Sequence, residues 1–299
     1  MASGALKLKP IKRPKQTLTN RRTNQGMLAV SVFLSLVCCT ELSLKAEFAA
    51  SFGNPILAGG YADPPLVKVG NDFFMTHSSF RYAPGYLMWR SRDLIHWTPV
   101  THALQRYYGD VWAPDLLYQK GRFCIYYRCS YGLFVISALH IEGPWSPPVH
   151  LQVTAELIEP GFVAGRDGKG YPYLSGGNVV GFTEDGLSVV GDPRKVYAGW
   201  PIPAEWRVEC PCLESPKLLY QDGWSHLSSA EGGTGGPSTS HMVVEVWSRD
   251  PLGAWEHSPY NPAIHTWPRT EKWWSSGHGT VFQDGASQWW VHCVRFTIH

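Results

Sequence analysis

Charge is what this sequence is shortest of. Only 17% of its 299 residues are Asp, Glu, Lys or Arg, and the formal net charge is +2. A strongly basic nucleic-acid binder and a charged disordered chain are both excluded on that ground. No long segment keeps a 3.6-residue apolar period, which excludes a coiled coil and argues against helices generally. The apolar stretch from Met27 to Cys39 falls short of the about 20 residues of a comfortable membrane span. Cys124, Cys129, Cys210, Cys212 and Cys293 contain no paired C-x-x-C spacing, so a zinc site is not indicated. No D-x-D-x-D-G loop is present either, and a dedicated calcium loop is not indicated. Buried free thiols are expected for most of the cysteines, and the sequence selects no disulfide pair.

Aromatic and turn-forming residues are abundant instead, with 14 Trp, 14 Tyr, 30 Gly and 23 Pro. That mixture suits short strands joined by tight turns, and it predicts an all-β protein.

The cations are unevenly placed. Lys7, Lys9, Lys12, Arg13, Lys15, Arg21 and Arg22 precede the first acid, Glu41; the other 19 cations face 24 acids, a net −5 for the remainder. A basic leader, the apolar Met27 to Cys39 stretch and then small residues such as Ala46 read as a signal peptide or a signal anchor over residues 1–46. A secreted or periplasmic location is expected, with no membrane span in the mature domain, residues 47–299.

Within that domain one design repeats five times, at a period suited to propeller blades. An acid or histidine opens each segment, apolar positions follow, a Gly beside Asp or Asn makes a turn, and aromatics resume. The openings are Asp63, Asp115, Glu159, Glu214 and His278, spaced 52, 44, 55 and 64 residues apart. Second hairpins lie between them, each ending near a Trp: Trp97, Trp145 and Trp255. Two hairpins make a four-stranded blade, so the fold expected is a five-bladed β-propeller. Too little chain follows His278 to complete the fifth blade, which is expected to be incomplete at the C-terminus, to borrow strands from residues 47 to 60, or to mark a fragment.

In a propeller the innermost strands start around one mouth, so the five opening residues would crowd one concave site. Like charges at close quarters push pKa values apart, leaving one carboxyl protonated beside an ionised one. Glycoside hydrolysis needs that division of labour. Tyr61, Phe80, Trp112, Trp206, Trp273 and Trp274 flank the acids, and their flat rings suit the C–H faces of sugars. Trp97, Trp145 and Trp255 are expected in blade cores.

Several stretches, in order, resemble glycoside hydrolase family 43, the five-bladed propeller enzymes that include β-xylosidases, α-L-arabinofuranosidases and arabinanases. They are Asn54 to Pro64, Ser91 to Trp97, Val111-Trp-Ala-Pro-Asp115, Gly143-Pro-Trp145, Ile158-Glu-Pro160, Glu214-Ser-Pro216, Ala230-Glu-Gly-Gly-Thr234 and Gly277-His-Gly279. The resemblance implies inverting hydrolysis of xylose- or arabinose-containing plant polysaccharides or oligosaccharides. It makes Asp63 the general base, Glu214 the general acid and Glu159 the group that tunes the acid's pKa. His278 matches a histidine that in some members binds calcium or another ion, Arg295 matches a substrate-contacting arginine, and no cofactor is required. Three departures stand out. The family's Asp is Glu159 here, its Glu-Gly-Pro is Glu214-Ser-Pro, and its acid-rich turn is Ala164-Gly-Arg-Asp167. An added methylene moves a carboxylate by about 1 Å, which can cost about a hundredfold in rate. The rival reading is therefore a non-catalytic carbohydrate-binding propeller, and a protein-interaction propeller ranks third. A monomer with a carbohydrate substrate and no nucleic-acid partner is expected.

Overall fold

The computed structural model describes residues 2–7, 53–153, 157–164, 170–284 and 289–297. Strands β1 (Ala2–Lys7) and β2 (Leu57–Ala58) come first in the chain. One sheet follows from β3 (Leu66–Val69), β4 (Asp72–Met75), β5 (Gly85–Ser91) and β6 (Thr98–Leu104). The next contains β7 (Val111–Gln119), β8 (Arg122–Cys129), β9 (Gly132–Ala138) and β10 (Val149–His150). A third contains β11 (Gly161–Ala164), β12 (Gly170–Leu174), β13 (Asn178–Phe182) and β14 (Val189–Lys195). The fourth runs β15 (Leu213–Gln221), β16 (Trp224–Glu231), β17 (Met242–Ser248) and β18 (Glu256–His257), with β19 (Ile264–His265) also on β17. Strands β20 (Trp273–Gln283) and β21 (Trp289–Thr297) form the last sheet with β1 and β2, in the order β2-β1-β21-β20. Every pairing is antiparallel.

The two strands wanting after His278 thus come from the other end of the chain, with Ala2 opposite Arg295 and Lys7 opposite Trp290. Apart from Ala2–Lys7, the expected leader lies outside the described residues. So does the Arg166-Asp167-Gly168 turn. Among the described residues, no helix is long and apolar enough to cross a membrane.

Alternation along the strands explains the stacking. On β8, Phe123, Ile125 and Tyr127 join Phe74, Tyr86, Met88 and Leu116 in one core. Cys124 and Tyr126 on its other face join Leu133, Val135, Leu174 and Val180 in the next. Both faces are buried, so the strand reads as continuously apolar although its period is two. The same logic carries from sheet to sheet: Tyr173 packs with Leu227 and Val246, Val243 with Val291 and Cys293, and Leu66 and Phe73 with Phe282. The last of these contacts joins the final sheet to the first, and the fold is an all-β propeller. Trp97, Trp145 and Trp255 pack against these cores as expected. Turns follow the sequence signal: Lys120-Gly121 and Asp222-Gly223 have φ of 48° and 77°, and of 51° and 80°. Positive φ at both positions is what a two-residue hairpin matched to strand twist requires.

Of the cysteines, Cys124, Cys129 and Cys293 are buried free thiols, whereas Cys210 and Cys212 form a disulfide.

Candidate active site

The innermost strands of the propeller are irregular where they begin. Register shifts interrupt β7 between Trp112 and Asp115, β15 between Glu214 and Lys217, and β20 on both sides of Gly277. Bulges of this kind re-aim one side chain out of the ladder. Non-glycine residues take left-handed backbones at these points: Ala113 at φ 21°, Ser215 at 49°, Ser275 at 47° and His278 at 46°. Asp63 and Glu159, just ahead of β3 and β11, do the same at 56° and 59°. Each such conformation costs about 1–3 kcal/mol and persists only where its surroundings impose it.

Here the surroundings are hydrogen bonds. Ser78 Oγ donates to Asp63 Oδ2 at 2.5 Å and accepts from the Ala113 N–H at 2.6 Å. The Ser215 N–H, adjacent to Glu214, donates to Glu159 Oε2 at 2.6 Å.

At the centre stands the His278 imidazole, 6% exposed. Its Nδ1 lies 3.2 Å from Asp63 Oδ1, and its Nε2 lies 3.5 Å from Glu159 Oε1 and 3.7 Å from Glu214 Oε2. Burial opposes a charge on this ring, but the carboxylates of Asp63, Glu159 and Glu214 outweigh it and raise its pKa to about 9. Glu159 is pushed up to about 7, first by burial and then by the negative charges of Glu214 and Asp63, against the pull of His278 and the Ser215 N–H. The centre is therefore an imidazolium ringed by three carboxyl groups, one of which holds its proton near neutrality. Such a set can donate a proton from one carboxyl and accept one at another.

Four of the five repeat openings meet here; Asp115 does not. Its carboxylate is paired with Lys217, Nζ to Oδ1 at 3.0 Å, and also accepts from the Phe162 N–H at 2.9 Å. The bulges explain the difference. Asp115 resumes the ladder after its bulge, as Lys217 does, while Glu214 precedes its own. By register the counterpart of Glu214 on β7 is Trp112, which places this half-buried ring at the start of its strand. Phe80 is half-buried at φ 49° and exchanges both backbone hydrogen bonds with Val111, next to Trp112. The Arg295 guanidinium is buried and lies 6.0 Å from the centre of the Trp273 ring, while Trp274 donates through Nε1 to the Arg269 carbonyl. Tyr61 packs edge-on against His77 and Trp89, and Trp206 stacks on His265.

Sequence reasoning missed Ser78, the Ser215 amide, Lys217 and His241. The His241 ring centre is 5.5 Å from that of His278, and neither of its ring nitrogens has a hydrogen-bond partner among the described residues. Burial, then His278, depresses its pKa to about 3, with the Ser275 backbone working the other way. Ser215 lies within the Glu214-Ser-Pro216 stretch, but a motif does not reveal what its backbone amide bonds to. Ser78, Lys217 and His241 open no repeat and lie in none of the family stretches, because each acts through a contact with a different sheet or bulge. Glu214, His241 and His278 present ligand atoms within 4.8 Å of one another and could hold an ion. Two imidazoles and one carboxylate do not fit calcium, which takes about 6–8 oxygen ligands.

Comparison with known proteins identifies the family. The family model described as glycosyl hydrolases family 43 matches residues 52–298. A xylan 1,3-beta-xylosidase of a Vibrio species is 31% identical over 271 residues, covering 80% of this chain and 48% of its own. A non-reducing end alpha-L-arabinofuranosidase, BoGH43B of Bacteroides ovatus, is 32% identical over 275 residues, covering 82% and 47%. The crystal structure of the GH43 BlXynB protein from Bacillus licheniformis superposes with a TM-score of 0.72 at 28% identity, over 82% of this chain and 50% of that one. The chain thus spans about half the length of the curated relatives it matches. On the extent of the family match and the identity to these relatives, the chain belongs to glycosyl hydrolases family 43.

Proposed function

We propose that the chain hydrolyses xylose- or arabinose-containing plant polysaccharides or their oligosaccharides, with inversion at the anomeric carbon. The observation that carries this reading is the convergence of Asp63, Glu159 and Glu214 on His278. Relatives named as a xylosidase and an arabinofuranosidase support the substrate class.

Asp63 takes a proton from water as the water attacks the anomeric carbon, and Glu214 gives its proton to the departing oxygen. Ser78, bonded to Asp63 Oδ2, holds the base in place. Asp63 and Glu214 approach opposite nitrogens of one imidazole, at 3.2 and 3.7 Å. An imidazole is about 2 Å across, so those oxygens can be no more than about 9 Å apart, compatible with the about 6.5–9.5 Å that admits a water in inverting enzymes. Glu159, fixed to the Ser215 amide, places its carboxyl beside the acid and acts as the positioning and tuning group of the pair. No step requires a cofactor. Trp112, Phe80, Arg295, Trp273 and Trp274 are assigned to the sugar, the aromatic faces stacking on its C–H surfaces.

The same proposal reads the five sheets as five blades of one ring and residues 47–299 as the catalytic domain. An export leader over residues 1–46 and a last blade that includes β1 exclude each other for Ala2–Lys7. A mature N-terminus past residue 46, on protein recovered outside the producing cell, supports the leader, and an intact N-terminus on purely intracellular protein supports the blade.

The test is hydrolysis of aryl β-xylopyranoside and aryl α-L-arabinofuranoside, with NMR of the first-released anomer. Inverted sugar from either is expected. Retained configuration removes the mechanism, and glycan binding without hydrolysis converts the reading to a carbohydrate-binding propeller.

A further inference from the structure

Beneath the acid cluster lies a second set of contacts that joins three sheets. Asp115 on β7 uses one carboxylate oxygen for Lys217 Nζ on β15, at 3.0 Å, and the other for the Phe162 N–H on β11, at 2.9 Å. The side chains of Lys217 and Asp115 are 14% and 7% exposed. Phe162 follows Glu159 by three residues, and Lys217 follows Glu214 by three. The strands that carry these two acids are therefore held by one carboxylate of a third strand.

Between this tie and the acids, β11 and β15 touch backbone to backbone. A Cβ on Gly161 would come within 1.6 Å of the Pro216 carbonyl oxygen, so only glycine admits the approach. Above it, Glu159 reaches the Ser215 N–H. Three contacts in succession, Glu159 with Ser215, Gly161 with Pro216, and Phe162 with Asp115 and Lys217, run down the same pair of strands.

We propose that Asp115 and Lys217 are positioning residues, which fix the strand of Glu159 against the strand of Glu214 so that the two carboxyls keep their spacing. This rests on the catalytic reading of those acids given above. A buried ion pair is poor evidence for stability, because apolar side chains of similar volume often replace it without loss. What an apolar pair cannot reproduce is direction. The bidentate Asp115 sets the height of β11 through its amide and of β15 through Lys217, and misplacements of about 1 Å at a catalytic group cost about a hundredfold in rate.

The test combines the double variant Lys217→Met/Asp115→Leu, Lys217→Arg and the parent. The double variant, which leaves the Phe162 N–H without its acceptor, is expected to fold but melt below the parent, to lose tenfold or more in kcat with KM within about threefold, and to show an altered pH profile. Lys217→Arg, which keeps a cation within reach of Asp115, is expected to recover most of kcat. Hydrogen exchange at the Ser215 amide gives a readout that needs no activity: the double variant should lose protection there, at a site neither substitution touches. Parental Ser215 exchange in the folded double variant overturns the proposal, as does a parental kcat and pH profile. Should the double variant not fold, Lys217→Gln is read by the same measurements, with the same parental results overturning the proposal. A parent inactive on both aryl glycosides refutes the catalytic reading instead, and the Ser215 exchange still decides the tie.

Discussion

Restoring the family's usual residue at position 159 should make this protein worse. The resemblance places an Asp there, so a simple transfer predicts that Glu159→Asp raises activity. The structure predicts the reverse. Glu159 Oε2 is 2.6 Å from the Ser215 nitrogen, and Oε1 is 3.5 Å from His278 Nε2. Removing one methylene withdraws the carboxylate by about 1.5 Å, one C–C bond. The Ser215 contact then opens to about 4 Å, beyond the about 3.2 Å limit of an N–H···O bond. The strands cannot slide to close the gap, because Gly161 already rests against the Pro216 carbonyl. Above about pH 7, where Glu159 is ionised, the lost hydrogen bond is one to a charged group, worth about 1.5–3 kcal/mol, and each about 1.4 kcal/mol lost in the transition state is tenfold in rate. Glu159→Asp should therefore lower kcat by about ten- to a hundredfold, with a smaller change in KM. Initial rates on the two aryl glycosides, with thermal melts alongside, measure this. An Asp variant as fast as the parent or faster would refute the reasoning.

Asp63→Asn and Glu214→Gln should each abolish hydrolysis while leaving circular dichroism and melting intact; parental turnover in either removes the proposed mechanism. Glu245 is buried on β17 with no hydrogen-bond partner for Oε1 among the described residues, and burial raises its pKa to about 8. The folded protein keeps a proton that the unfolded chain releases above about pH 4.5, so stability falls by about 1.4 kcal/mol per pH unit from about 4.5 to 8 and then levels off. Glu245→Gln should remove that slope; urea titrations showing parallel parent and variant curves over this range would contradict it. In histidine NMR spectra, His278 should stay protonated until about pH 9, while His241 should remain neutral down to about pH 3. Midpoints near 6.5 for both would dissolve the imidazolium-centred description.

How much of this was legible in the sequence follows from what the repeat encodes. Period-two alternation and glycine turns are local, so the strands, the hairpins and the all-β class could be read directly. Blade-core positions for Trp97, Trp145 and Trp255 were legible for the same reason. The acids Asp63, Glu159 and Glu214 were found because each opens a repeat, and the family motifs named them again. Asp115 fits the same pattern and is nevertheless elsewhere, because a bulge between Trp112 and Asp115 shifts the register and a cation three residues past Glu214 takes its charge. Bulges leave no mark in apolar periodicity, so the repeat was aligned one bulge out.

By itself the sequence determined the strand pattern, the repeat and the identity of the acids, since these depend on residues near one another in the chain. Long-range packing sets which acids share a site, that His278 lies between them, that β1 and β2 complete the last sheet, and that Asp115 braces two strands rather than joining the cluster. Each of these is a contact between segments tens to hundreds of residues apart, where packing and desolvation, and not local propensity, set the distance.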